Sequence, residues 1–279
     1  MRRWNLIPNR RAGRTSGFLS LLFVLVAAPA WAQVSEQEAS RVPLGDRYRI
    51  EVAGTLWNPS VVGLVSSEQF GIIGDQIDFA SDLGYKPTRF GDFRMVLRPS
   101  RKAKFRLQYT PISYQATTDF KRDIVFNGIK FPVSLPVTST FEWKVLRVGF
   151  EYDFVSNNHG FIGMLIEGRY TNFKTELTTA IAEEYTSAKV PMPAIGAVGR
   201  VYVIPEVAID FEVSAFKLPD IDPDYQASYF DWDIHGTFNF NDYVGVQVGW
   251  RRMTTYIFIQ EDTGDLKFQG LWFGAAVRY

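Results

Sequence analysis

The sequence predicts an all-β protein: an antiparallel, up-and-down transmembrane β-barrel of about ten strands, with eight or twelve as the alternatives. Three observations predict it. Period-2 alternation of apolar and polar residues recurs all the way to the C-terminus. Beyond the N-terminus, no run is long and apolar enough to be a transmembrane helix. The connections between alternating runs are short and long in turn, the pattern of barrels with short periplasmic turns and long outer loops.

The N-terminus comes first in the chain and has to be removed before the rest is read. Met1–Gly17 carries Arg2, Arg3, Arg10, Arg11 and Arg14 and no acid, Phe18–Pro29 is apolar, and Ala30-Trp31-Ala32 follows. A basic region, a short apolar run and small residues in an A-x-A end make a secretory signal peptide. Residues 1–32 are therefore the expected signal and residues 33–279 the mature domain. The whole chain has 30 basic and 30 acidic residues. Losing five arginines leaves 25 against 30, a net charge of −5. That balance gives no basic face for nucleic acid. With no cysteine, disulfides and thiolate metal sites are excluded.

The strands are expected at about 47–57, 89–98, 102–116, 138–154, 160–175, 191–203, 207–217, 226–239, 243–258 and 266–279. In Val207–Ala215 the odd positions are apolar, while the even ones are Ala208, Asp210, Glu212 and Ser214. Val244, Val246, Val248 and Trp250 alternate with Gly245, Gln247 and Gly249. A soluble sandwich alternates too, but Gly163, Gly196, Gly245, Gly249 and Ala276 on the polar face suit a crowded lumen better than a solvated exterior. The short turns are Pro99–Lys102, Val155–His159, Ile204–Glu206 and Asn239–Asp242. The long connections surround 58–89, 120–136, 179–191, 218–226 and 253–265. Within 58–89, Val61–Ser66 and Gly71–Phe79 could form a further hairpin, which would make twelve strands if it joined the wall.

Tyr152, Phe154, Phe238 and Tyr279 fall near one end of the barrel, and Tyr109, Tyr170, Trp232 and Trp250 nearer the loops, as two interfacial girdles require. The inward face carries charges of both signs: Arg49, Glu51, Arg94, Arg98, Lys104, Arg106, Arg147, Glu151, Asp153 and Arg278, together with the leading lumen candidates Glu167, Arg169, Arg200, Asp210, Glu212, Asp231, Asp233 and His235. A ten-stranded lumen is barely wider than its side chains. Such charges must pair, so a plugged lumen or a narrow polar pore is expected.

The terminal segment Leu271–Tyr279 ends in an aromatic residue preceded by apolar residues at alternate positions. It resembles the C-terminal signal of bacterial outer-membrane barrels. The resemblance implies an outer-membrane location among its lipids and lipopolysaccharide, and insertion by the outer-membrane assembly machinery. Ile77–Tyr85 (IDFASDLGY) is similar to a stretch of uncharacterised small outer-membrane barrels, which implies no activity. Asp233-Ile234-His235 resembles the Asp-x-His element of the omptins, ten-stranded outer-membrane proteases in which an Asp–His pair and an Asp pair activate water. It departs from them in preceding the short Asn239–Asp242 turn, and no matching Asp-x-Asp stands at an outer strand end.

A lipid A-modifying enzyme would need a serine and a histidine at a membrane interface. Ser156 and His159 meet that description, but beside Asn157 and Asn158 they read as turn residues. Asp220, Asp222 and Asp224, interrupted by proline, read as solvated acids, with Ca²⁺ as the alternative. No cofactor is expected. The expected role is non-enzymatic: a structural barrel or narrow passive channel whose long loops form the contact surface.

Overall fold

The computed structural model describes residues 43–66, 75–126, 128–133, 136–180, 183–219, 224–259 and 262–279. The signal-peptide assignment, residues 71–74 of the possible extra hairpin and residues 220–223 of the acidic loop lie outside them.

The described strands are β1 (Ile50–Trp57), β2 (Ser60–Ser66), β3 (Ile77–Asp78), β4 (Phe90–Leu97), β5 (Ala103–Asp119), β6 (Ile124–Phe126), β7 (Ile129–Phe131), β8 (Pro136–Asn157), β9 (Gly160–Thr178), β10 (Glu183–Ile204), β11 (Val207–Lys217), β12 (Tyr225–Asn239), β13 (Val244–Ile259) and β14 (Asp262–Arg278). The wall runs β1-β4-β5-β8-β9-β10-β11-β12-β13-β14, each strand antiparallel to the next, and β14 returns to pair with β1. Ten strands close the barrel, as the alternation predicts. Closure leaves no free edge at the seam.

The possible hairpin resolves differently from either expectation. β1 meets β14 from Glu51↔Arg278 to Trp57↔Trp272, and β2 continues in the same register from Ser60↔Gln269 to Ser66↔Thr263. β1 and β2 are thus one long wall strand interrupted at Asn58-Pro59, where proline has no N–H to give the ladder. β3 pairs with the far side of β2, and the wall count stays at ten.

Several strands run further into the long connections than expected. The stretch 183–190 belongs to β10, and most of 253–265 belongs to β13 and β14. The cause is a change of environment along each strand. On β8, Leu146, Val148, Phe150 and Tyr152 point outward and are exposed, whereas Phe141, Trp143 and Val145 point inward and are buried. The apolar face changes sides between Val145 and Leu146 while the strand keeps its pleat. β5 does the same, with Phe105 and Tyr109 outside and Ile112 and Tyr114 inside. So do β13, with Val248 and Trp250 outside and Met253 and Ile257 inside, and β14, with Leu271 and Phe273 outside and Phe268 and Leu266 inside. Near the short turns the wall is an apolar belt with a polar interior. Near the loops it is a water-facing barrel with an apolar interior.

That interior is filled by the long connections. Phe79, Leu83 and Tyr85, and the β6–β7 hairpin through Ile124, Phe126 and Phe131, pack with Trp57, Tyr114, Phe141, Trp143 and Phe268 in one core. Asp78 ties the first segment together by accepting from the backbone N–H groups of Ala80 (2.9 Å) and Ser81 (2.7 Å). The two segments join where Asp75 N donates to Val125 O at 2.8 Å and Val125 N to the Asp75 carboxylate at 2.7 Å. At a short turn, Gly160 has φ 146°, and a Cβ there would fall 1.9 Å from Arg200 O, so no side chain fits.

Candidate functional site: the lumen

The belt half of the lumen holds charge, because alternate residues of strands that face lipid outside must point inward. Arg147 (β8) donates to Glu167 (2.8 Å), Glu212 (2.5 Å) and Gln108 (2.7 Å). Arg169 (β9) donates to Glu167 through Nε at 2.5 Å and to Ser214 at 2.5 Å, and lies 3.7 Å over the Tyr229 ring. Asp231 (β12) takes Arg251 at 2.8 Å, Arg169 at 3.4 Å and the Tyr229 hydroxyl at 2.7 Å. Nearer the turns, Arg106 bridges Glu151 (2.9 Å) and Glu212 (2.5 Å), Lys104 bridges Glu151 (2.5 Å) and Asp153 (2.8 Å), and Arg200 holds Asp210 at 2.5 Å. Arg278 closes the β1–β14 seam on Glu51 at 2.5 Å.

His235 sits between two carboxylates. Its Nδ1 is 2.6 Å from Asp233 and its Nε2 3.4 Å from Asp210. Trp272 Nε1 donates to the other Asp233 oxygen at 2.5 Å, and the Trp272 and His235 rings lie 4.9 Å apart. The void lining His235, Glu51, Arg94 and Arg200 is about 40 Å³, and the one beside Asp92, Arg147 and Asp233 about 20 Å³. They hold a few waters at most.

The turn end is covered as well. Leu44 N donates to Pro205 O (2.8 Å), Gly45 N to Asp242 (3.0 Å), Asn239 Nδ2 to Leu44 O (3.0 Å), and Asp46 pairs with Arg98 (3.3 Å). These partners belong to different turns, so residues 43–48 lie across the opening.

The structure places Glu167, Arg169, Glu212 and Asp231 in one central cluster and Arg200, Asp210, Asp233 and His235 in a second, adjoining one. Arg49 departs from expectation. It is exposed at the turn end, because β1 begins only at Ile50. Sequence reading missed Asp92, which accepts from Gln108 (2.9 Å) and from Thr110 and lies 3.5 Å from Arg251. Alternation through Phe90-Gly91-Asp92-Phe93-Arg94 was the available signal. At the Ser156–His159 turn the Asn157 side-chain oxygen accepts from the His159 backbone N–H at 2.8 Å. No metal-binding cluster occurs among the described residues.

No protein-family profile and no curated protein matches the chain. Among solved structures, the outer membrane protease OmpT from Escherichia coli is similar at a TM-score of 0.57 and 8% identity, covering 86% of this chain and 100% of that one. The chain folds as a bacterial outer-membrane β-barrel. The short turns of such a barrel are periplasmic and its long loops face outward, and the apolar belt is what an outer-membrane location requires. Ail, the attachment invasion locus protein of Yersinia pestis, is also similar (TM-score 0.37, 11% identity, 83% of this chain and 99% of that one). So is a Pseudomonas aeruginosa FadL homologue (TM-score 0.38, 8% identity, 87% and 94%). Those two likenesses are too loose to bear on its role.

Proposed function

We propose that this outer-membrane barrel is closed and non-conducting, and that it acts as a structural scaffold presenting its outer loops as a contact surface. The observation that carries this reading is the obstruction of the lumen at three levels: the aromatic core at the loop half, the ion-paired belt half, and residues 43–48 across the periplasmic turns. Of the two roles the sequence suggested, the structural one fits this obstruction and the passive channel does not.

The enzymatic alternative rests on the Asp233–His235 pair and on the likeness to OmpT. His235 is 7% exposed and its neighbouring void of about 40 Å³ excludes a peptide. A general base must come within about 3 Å of the proton it takes, and no substrate reaches this one. Insertion through the Leu271–Tyr279 signal fits a terminal strand that closes the wall against β1. Swelling of vesicles holding the refolded mature chain tests the proposal. No uptake of small sugars and no cleavage of peptide substrates support it. Uptake would restore the channel, and cleavage lost in His235→Ala would restore the enzyme.

A further inference from the structure

The β4–β5 ladder is shorter than either strand. It ends at Phe93↔Tyr109, although β4 continues to Phe90 and β5 to Asp119. Pro111, at the level where the ladder would continue, has no N–H to donate. From this point toward the loops the two strands part, and Asp92 and Thr110 are joined through their side chains instead.

A groove of about 620 Å³ lies over this parting on the lipid side, with walls of Leu56, Phe93, Tyr109, Pro111 and Phe273. Its depth comes from Gly54 and Gly91, where an added Cβ would meet nothing within 4 Å. It is an open trough on the lipid side, large enough to seat a stretch of acyl chain. The groove opens in the apolar belt, where acyl chains are the surrounding medium.

Its outer end is cationic. Arg89 immediately precedes β4, is exposed, lies 5.7 Å over the Phe273 ring, and forms no ion pair among the described residues. Lys86 is exposed on the same segment, whereas Lys144, directly across from Pro111 on β8, is already paired with Glu142 at 2.7 Å. An apolar trough ending in cations at the outer interface complements a lipid with acyl chains below and phosphate above.

We propose that this groove seats an acyl chain of a phosphorylated outer-leaflet lipid, with Arg89 on its phosphate. The inference is independent of whether the lumen conducts.

The test uses the full mature barrel in detergent, with lipid A as the probe and dephosphorylated lipid A and phosphatidylglycerol as comparisons. Native mass spectrometry counts retained lipid, and thermal unfolding reports affinity. The wild type is expected to hold one lipid A. Arg89→Gln should weaken it about tenfold, the loss of one charge-assisted contact, and Gly54→Leu/Gly91→Leu should abolish it while leaving Arg89 in place. Should the double leucine variant not fold, Gly91→Ala serves, with a smaller loss in the same direction. Equal binding by wild type and filled variants, equal binding of all three lipids, or a dimer that filling disrupts in place of lipid retention would each overturn the proposal.

Discussion

Arg147 and Arg169 stand directly opposite one another on β8 and β9. Two guanidinium groups in cross-strand register repel. They are held because Glu167, on β9, accepts from both, and Asp231, from across the lumen on β12, lies within 3.5 Å of each. Removing one member of such a cluster strands the others. Arg169→Met should destabilise the barrel by about 3–5 kcal/mol, measured by reversible unfolding in detergent. Arg169→Met/Glu167→Gln should cost less than the sum of the two single changes, because the buried carboxylate is neutralised with its partner.

The loop half should behave as an ordinary protein core. Trp143 is 0% exposed, and Trp143→Ala should cost about 3–5 kcal/mol. Its Nε1 finds no hydrogen-bond partner, so Trp143→Phe should cost clearly less than alanine. Limited proteolysis should show the alanine variant cut in the outer connections while the belt remains protected.

The change of apolar face along β8 predicts opposite tolerance at two outward positions a few residues apart. Val148 is 56% exposed yet lies in the belt, so Val148→Arg should cost about 2–4 kcal/mol. Glu142 points outward above the belt and is paired with Lys144 at 2.7 Å. Glu142→Gln should stay within about 0.5 kcal/mol, as exposed pairs do. Folding into lipid vesicles, scored by heat-modifiable gel mobility, separates the two.

Burial pushes the Tyr85 hydroxyl up to about 12, because a phenolate would lose its water among Phe79 and Tyr114. A raised pKa on an acid means that the neutral form is favoured in the folded state. The stabilisation is whole below the unfolded value near 10 and is lost as pH climbs toward about 12. The gap in unfolding temperature between wild type and Tyr85→Phe should therefore be flat at neutral pH and shift in favour of the phenylalanine variant above pH 10.

The wall was legible in the sequence because lipid outside and charge inside impose a clean alternation, as in Val207–Ala215. The strand extensions were not, because Glu183–Lys189 has no apolar face outside the water-facing wall. The filled outer half was legible only as a phase change, apolar at Phe141, Trp143 and Val145 and then at Leu146, Val148 and Phe150. A reading that expects one apolar phase per strand passes over it. The inward charges could be named from parity alone, but their pairing depends on distances across the lumen, which no spacing encodes. The lipid-side groove depends on where a ladder stops, and only Pro111, Gly54 and Gly91 hint at that.

Closure of the lumen is tested most directly by single-molecule conductance of refolded residues 33–279 in a planar bilayer, with insertion verified by heat-modifiable mobility of the same preparation. The predicted record is silent, and Arg169→Met/Trp143→Ala, which loosens both halves, should show more current noise than wild type. Discrete, reproducible steps from the wild-type barrel would contradict a closed lumen.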